Sequence, residues 1–272
     1  MIVLVVALLS LFSSCGSCFT TSTDQNLTWA RSADGHARCL AGTVLISIDF
    51  ESYQWEIELP TNQLETTDFV MTAMTTDANG LVSLIKETKQ LKKTFNIFIK
   101  YCVPAKEKKV TTNVIQILTH GSTLDHTYWD FALGYSCVNV AAAPGLATLS
   151  YDRLGIGLPD HPNPLLETQG QAQIEIYHGL AQLVRSGALG HSFSKVIAVG
   201  YSYGSTLGDG TLSKYLNDFD ALINTDYDGP LAWLKHTIFS LGLLKANTLP
   251  RLAHLPDGYL VREERRVFKH LF

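Results

Sequence analysis

The chain has 272 residues, a formal net charge of −4 and an apolar fraction of 46%. That length and apolar content can build one large α/β domain with its own core. The mild charge, with no dense Lys/Arg cluster, gives no basis for a nucleic-acid surface.

Residues 1–18 begin with an apolar run from Ile2 to Phe12, followed by the small residues Ser13, Ser14, Gly16 and Ser17. The run is too short to span a bilayer. It has the form of a secretory signal cleaved near Ser17, which makes residues 19–272 an extracellular single-domain protein. Acylation at Cys15 is the alternative, and Phe12-Ser13-Ser14-Cys15 suits it poorly. No second segment is long and apolar enough for a stable membrane span. Cys39, Cys102 and Cys137 remain after the leader. Three thiols allow at most one internal pair and leave one over, and which two pair is open. No residue spacing suggests a metal site, and no cofactor is expected. Asn26-Leu27-Thr28 is an N-glycosylation sequon.

Residues 19–42 are polar and read as loose. Residues 43–57 alternate in part, with Val44, Ile46, Ile48, Phe50, Tyr53, Trp55 and Ile57, and predict extended structure or a hairpin. Residues 67–75 and 94–101 predict further strands, with a short helix or turn at 79–91. Lys106 to Lys109 predicts a solvated hairpin turn between strands. Beyond Pro104, apolar strands at 114–118, 146–150, 196–199 and 221–224 alternate with helices at 128–134, 165–185 and 205–216. Strands that are apolar on both faces and alternate with helices argue for a parallel sheet. Residues 229–258 form a cap-like segment, in which Leu231, Leu234, Ile238 and Leu241 have helical spacing. Periodicity leaves two options there, a core helix or a cap over an apolar pocket.

Three motifs carry chemistry. Gly200-Tyr201-Ser202-Tyr203-Gly204 lies between a predicted strand and a predicted helix. A strand, a sharp turn on serine and a helix form a nucleophile elbow, where the hydroxyl projects from the sheet and the helix N–H groups face a developing oxyanion. His120-Gly121-Ser122 follows the strand at 114–118, where the backbone N–H of Gly121 or Ser122 can join that of Tyr203 as oxyanion donors. His120 itself reads as a loop-shaping residue. Asp152-Arg153-Leu154-Gly155-Ile156-Gly157 follows the strand at 146–150. Neither glycine cluster gives the dinucleotide-binding spacing.

On these motifs, residues 114–256 resemble the α/β-hydrolase superfamily, in particular its secreted esterase-like members. The resemblance implies an α/β-hydrolase fold: a mostly parallel sheet flanked by helices, with a small helical cap. It implies Ser202 as nucleophile in acyl transfer on an ester or related apolar carbonyl substrate, and Asp152 and Arg153 as braces beside the site. It also implies an acid and a histidine after the serine. Asp226 and Asp228 follow the strand at 221–224, and Asp226 is taken as the possible acid. His236, His254 and His270 follow Ser202 without the expected strand context, so the catalytic histidine is unassigned. The last strands of the fold are expected to be missing. Three alternatives stand beside the hydrolase: an inactive ligand-binding protein with the same fold, a cofactor-free lyase or peroxidase-like activity, and a fragment. Oligomeric state is not legible.

Overall fold

The computed structural model describes residues 2–3, 27–76, 78–106, 110–158, 160–227 and 234–262. Most of the leader, the sequon asparagine, Asp228, Leu231 and His270 lie outside the described residues.

The strands in chain order are β1 (Ile2–Val3), β2 (Thr28–Arg31), β3 (Ala37–Trp55), β4 (Ile85–Pro104), β5 (Val114–Thr119), β6 (Asp130–Ala132), β7 (Tyr135–Ser136), β8 (Ala147–Tyr151), β9 (Lys195–Tyr201), β10 (Ala221–Thr225), β11 (Leu243–Lys245) and β12 (Tyr259–Arg262). The helices are α1 (Gln63–Thr75), α2 (Ala78–Ser83), α3 (Cys137–Ala142), α4 (Gly170–Ser186), α5 (Tyr203–Lys214) and α6 (Leu234–Ser240). A seven-stranded sheet runs β10-β9-β5-β8-β4-β3-β2. Its β10, β9, β5 and β8 are parallel, and β4, β3 and β2 are antiparallel.

The parallel strands are short; β5, β8 and β9 are largely buried on both faces, whereas the edge strand β10 is exposed. Ile115 and Ile117 of β5 pack into one cluster with Ile176, Leu180 and Leu207 of α4 and α5. Leu118 points the other way, into a second cluster with Val138 and Ala142 of α3. The chain therefore leaves β5 toward one face of the sheet and leaves the adjacent β9 toward the other. That reversal is a topological switch point, and the carboxyl ends of strands at such a point are where open α/β sheets bind ligands. His120-Gly121 and Ser202 both lie there.

The antiparallel half is a long ribbon. β3 and β4 pair from Ala37↔Pro104 to Trp55↔Ile85. Val44, Ile46, Ile48 and Phe50 alternate inward and are buried, as period two requires when one face meets the core. The far half of β4 carries Lys86, Lys89, Lys92 and Lys93 instead. Charged side chains of this kind protect an unpaired edge.

The structure corrects several expectations. Residues 67–75 belong to helix α1, not to a strand. Asn62 is its N-cap, accepting from the Glu65 N–H at 3.0 Å, while Glu65 accepts from the Thr61 N–H. This local cap exchange outweighs the β-branched content. Residues 27–42 are not loose, because β2 pairs with the start of β3. Lys106 is not in a hairpin turn, because β4 and β5 are separated by β8 in the sheet; Glu107 to Lys109 lie outside the described residues. Residues 128–134 form a 3₁₀ turn, His126–Trp129, and the β6–β7 hairpin. Gly134 at φ 76 makes that turn. The expected strand at 94–101 is the inner part of β4, and the expected helix at 165–185 begins at Gly170.

In the cap-like segment, the short α6 packs against α1: Ile238, Val70, Leu243 and Leu260 form a small core of their own. Ile238 is thus a core position. β12 continues that lobe, antiparallel to β11 and to β1. Cys39 and Cys102, directly opposite on β3 and β4, form a disulfide, and Cys137 is free and exposed.

Candidate active site

Ser202 stands between β9 and α5, as the helix N-cap, with φ 52 and ψ −117. A side-chain-bearing residue in this region is strained and must be held there by its surroundings. Its N–H donates to the Thr225 carbonyl at the end of β10, at 2.9 Å, and its own carbonyl accepts from the Ser205 and Thr206 N–H groups. The Thr225 hydroxyl donates to the Gly200 carbonyl at 2.8 Å. The flanking glycines are required by crowding. A Cβ at Gly200 would lie 2.4 Å from the Ser205 nitrogen, and one at Gly204 would lie 2.1 Å from the Thr119 carbonyl oxygen. Tyr203 is the first residue of α5, so its N–H has no acceptor within the helix.

The loop after β5 rests on this turn. A Cβ at Gly121 would meet the Ser202 Cβ at 3.1 Å and Tyr201 Cδ1 at 2.8 Å. Gly121 is thereby packed against Ser202, with Ser122 and Tyr203 as their neighbours in the chain. His120 is fully buried behind the loop. The Arg153 N–H donates to its Nε2 at 3.1 Å, which fixes the ring proton on Nδ1, and Nδ1 donates to the Gly121 carbonyl at 2.9 Å. Burial, and then the Arg153 charge, hold the His120 pKa well below its usual value, so the ring is neutral. His120 is structural.

Arg153 is itself buried. Its Nε donates to the His120 carbonyl at 3.2 Å and its NH2 to the Gly121 carbonyl at 3.1 Å, and the guanidinium lies 4.8 Å over the Tyr203 ring. Burial raises the Tyr203 phenol to about 12. The buried Asp152 carboxylate accepts from the His126 N–H at 2.8 Å, from His126 Nδ1 at 2.7 Å and from the Leu158 N–H at 3.0 Å. Gly157 is needed beside it, since a Cβ there would lie 2.2 Å from Asp152 Oδ2. Asp125, His126 and Asp152 come close enough to share an ion. Asp125 is already the cap of the 3₁₀ turn, however, and the other two bond each other, so the cluster reads as loop bracing.

Asp226 follows β10 at φ 50 and is exposed. Its carboxylate lies beside the Tyr201 phenol, which burial first and Asp226 second raise to about 12. Tyr201 stacks on Tyr128 at 4.6 Å. Neither the Tyr128 contact nor the Thr225 anchor has a signal in the sequence, because both depend on strand order.

Among the described residues, none hydrogen-bonds the Ser202 hydroxyl. The histidines have other surroundings. His126 lies against Phe98 of β4, at 4.6 Å between ring centroids. β4 is three strands from β9, roughly 14 Å at the usual strand spacing. His178 pairs with Asp218 at 2.6 Å and stacks on Tyr215, which caps the far end of α5, about 18 Å along the helix from Ser202. His191 meets the Thr112 carbonyl. His161 packs on Tyr259, and burial together with nearby His254 lowers its pKa. His236 is exposed on α6.

An apolar cavity lies between the ribbon and the cap lobe, lined by Tyr53, Trp55, Phe69, Leu165 and Leu260 among others. None of Ser202, Gly121, Ser122 or Tyr203 lines it, so it is separate from the elbow. No helix among the described residues is long and apolar enough to cross a membrane.

No family model matches the chain. No curated protein matches it either. Solved structures do. An epoxide hydrolase from Vigna radiata is 14% identical over 48% of this chain and 34% of its own, with a TM-score of 0.36. A mutant of the rice cell wall degrading esterase LipA from Xanthomonas oryzae is 12% identical over 74% of this chain and 48% of its own, with a TM-score of 0.40. The thioesterase domain from the curacin biosynthetic pathway is 18% identical over 46% and 39%, with a TM-score of 0.35. The chain spans less than half the length of each of these structures. Its strand order, its switch point between β5 and β9, and the strained serine at the head of α5 are those of the α/β-hydrolase fold.

Proposed function

We propose that the chain is a secreted serine hydrolase that cleaves an ester or related carbonyl compound through an acyl-enzyme. The observation that carries this reading is the Ser202 turn, held at φ 52 by two crowded glycines with Gly121 packed against the serine Cβ. Strain of this kind persists only where the surrounding structure fixes it. In the first step the Ser202 Oγ forms a bond to the carbonyl carbon while its proton passes to a base. The carbonyl electron pair moves onto oxygen, which the Tyr203 N–H and the Gly121 or Ser122 N–H receive. Collapse of the adduct expels the alcohol, which takes up a proton. Water then repeats the sequence on the acyl-serine and releases the acid. Asp226 is the candidate acid by its place after β10. The Cys39–Cys102 disulfide and the apolar leader support an oxidising, extracellular setting.

A second reading is favoured by one observation: no described imidazole bonds Ser202. Serine without a base is a weak nucleophile, and the same site would then bind a carbonyl ligand without turning it over. Stopped-flow hydrolysis of a p-nitrophenyl ester separates the two. A burst of one nitrophenol per chain, with a matching acyl mass adduct that Ser202→Ala removes, is expected for the hydrolase. Saturable ester binding without burst or adduct supports the silent binder.

A further inference from the structure

Two peptide units supply the candidate oxyanion donors of the loop after β5. The Gly121 N–H belongs to the unit whose carbonyl is that of His120, and the Ser122 N–H to the unit whose carbonyl is that of Gly121. Both carbonyls accept from one side chain, the Arg153 guanidinium, at 3.2 and 3.1 Å. The Gly121 carbonyl accepts a second proton, from His120 Nδ1. The third candidate donor, the Tyr203 N–H, belongs to the residue whose ring lies under the same guanidinium. We propose, resting on the serine-hydrolase reading, that Arg153 is a positioning residue for the oxyanion hole, which aligns and polarises both loop peptides toward Ser202.

Three physical points carry this. First, the guanidinium is a rigid planar fork, so two hydrogen bonds to consecutive carbonyls fix the rotation of both peptide planes. The N–H at the other end of each plane is then fixed as well. Second, a charged donor on a carbonyl withdraws electrons through the amide and makes its N–H a stronger donor, the cooperative effect of linked hydrogen bonds. The Gly121–Ser122 unit receives this twice over, since both carbonyl lone pairs are engaged. Third, among the described residues no carboxylate forms an ion pair with Arg153: adjacent Asp152 attracts it through space but spends its hydrogen bonds on His126 and Leu158. A buried cation without a directly bonded anion is costly. A neutral amide side chain would brace the loop at lower cost. A cation placed there serves a negative charge that exists only during reaction, which is where preorganised electrostatics act.

Two measurements on the full-length protein test the proposal. Protein carrying carbonyl-¹³C glycine and ¹⁵N serine gives carbonyl–amide correlations only at Gly-Ser steps, which are Gly16-Ser17, Gly121-Ser122 and Gly204-Ser205. In Arg153→Lys, whose compact ammonium does not hold two carbonyls in one plane, the Gly121 carbonyl and the Ser122 amide proton are expected to move upfield, with Gly16-Ser17 as the unmoved reference. An unmoved Gly121-Ser122 signal overturns the proposal, whether or not the serine reacts. The second readout is the rate of adduct formation with a fluorophosphonate. Removing an oxyanion donor outright costs about 10²–10³-fold, and weakening two of them is expected to slow Arg153→Lys by about tenfold and Arg153→Met further, with ester binding unchanged. Wild-type rates in folded Arg153→Lys overturn it. Arg153→Lys keeps the cation and so carries the test if Arg153→Met does not fold. A wild-type chain that never labels counts against the nucleophile reading and leaves the spectroscopic result to decide the role of Arg153.

Discussion

The elbow and the outer half of the β3–β4 ribbon follow opposite building rules. At the elbow, β5 and β9 are short, parallel and largely buried on both faces. Glycines there have no spare room, and the Ser202 N–H and the Gly200 carbonyl are both tied to Thr225 at the end of β10. In the outer ribbon, strands are long and antiparallel, β4 is largely solvated from Lys86 to Lys93, and ion pairs such as Lys92–Asp49 lie on the surface. The difference shows where precision is required. The elbow must hold a strained serine against a neighbouring loop, whereas the ribbon has only to hold register.

The sharpest way to break the comparison is to place one methyl group at the elbow. Gly204→Ala puts a Cβ 2.1 Å from a backbone oxygen. Backbone cannot yield as a side-chain tip can, so a loss of more than about 4 kcal/mol is expected, seen as failure to fold or a collapsed urea midpoint. A stable Gly204→Ala protein with wild-type reactivity would show that the crowding is not real.

Next in size is the disulfide where the ribbon meets the core. Cys39→Ser with Cys102→Ser removes a bridge between directly opposed residues. A loss of about 2–4 kcal/mol is expected from denaturant titration, with the elbow still reactive in the folded fraction.

A pH series comes third. The folded pKa of His120 lies well below the ordinary value, and that of His161 is also lowered. In the unfolded chain both titrate near 6.5. Below that pH the unfolded state binds protons that the folded state does not, so their contribution is fully present above about pH 6.5 and is lost as pH falls. The slope is up to about 1.4 kcal/mol per pH unit for fully buried His120 and smaller for half-buried His161. Thermal midpoints at pH 7.5 are expected to exceed those at pH 5.0, and the reverse order would mean that His120 is charged when folded.

The smallest effect belongs to the ribbon surface. Lys92→Ala removes an exposed partner of Asp49, and a change within about 0.5 kcal/mol is expected. A larger loss would show that the ribbon shares the elbow's tight coupling.

The same contrast explains what the sequence reveals. The strand, elbow and helix from Lys195 to Lys214 were legible, because the pattern is local and glycine spacing encodes crowding. Gly121 was legible for the same reason. The ribbon was not, since pairing Asp49 with Lys92 across an inserted helix pair is a long-range fact. Residues 67–75 misled because their threonines favour a strand while the decisive cap, Asn62 with Glu65, lies upstream. The hold of Arg153 on two carbonyls was also hidden: the motif names the residue, but strand order puts it under Gly121.

The most direct test of the nucleophile is fluorophosphonate labelling of the mature chain, with Ser202→Ala as control. The expected result is one covalent adduct per chain, mapped to the peptide containing Ser202 and absent from Ser202→Ala. A folded wild-type chain that takes up no label, or an adduct that survives Ser202→Ala, would contradict the assignment of Ser202 as the nucleophile.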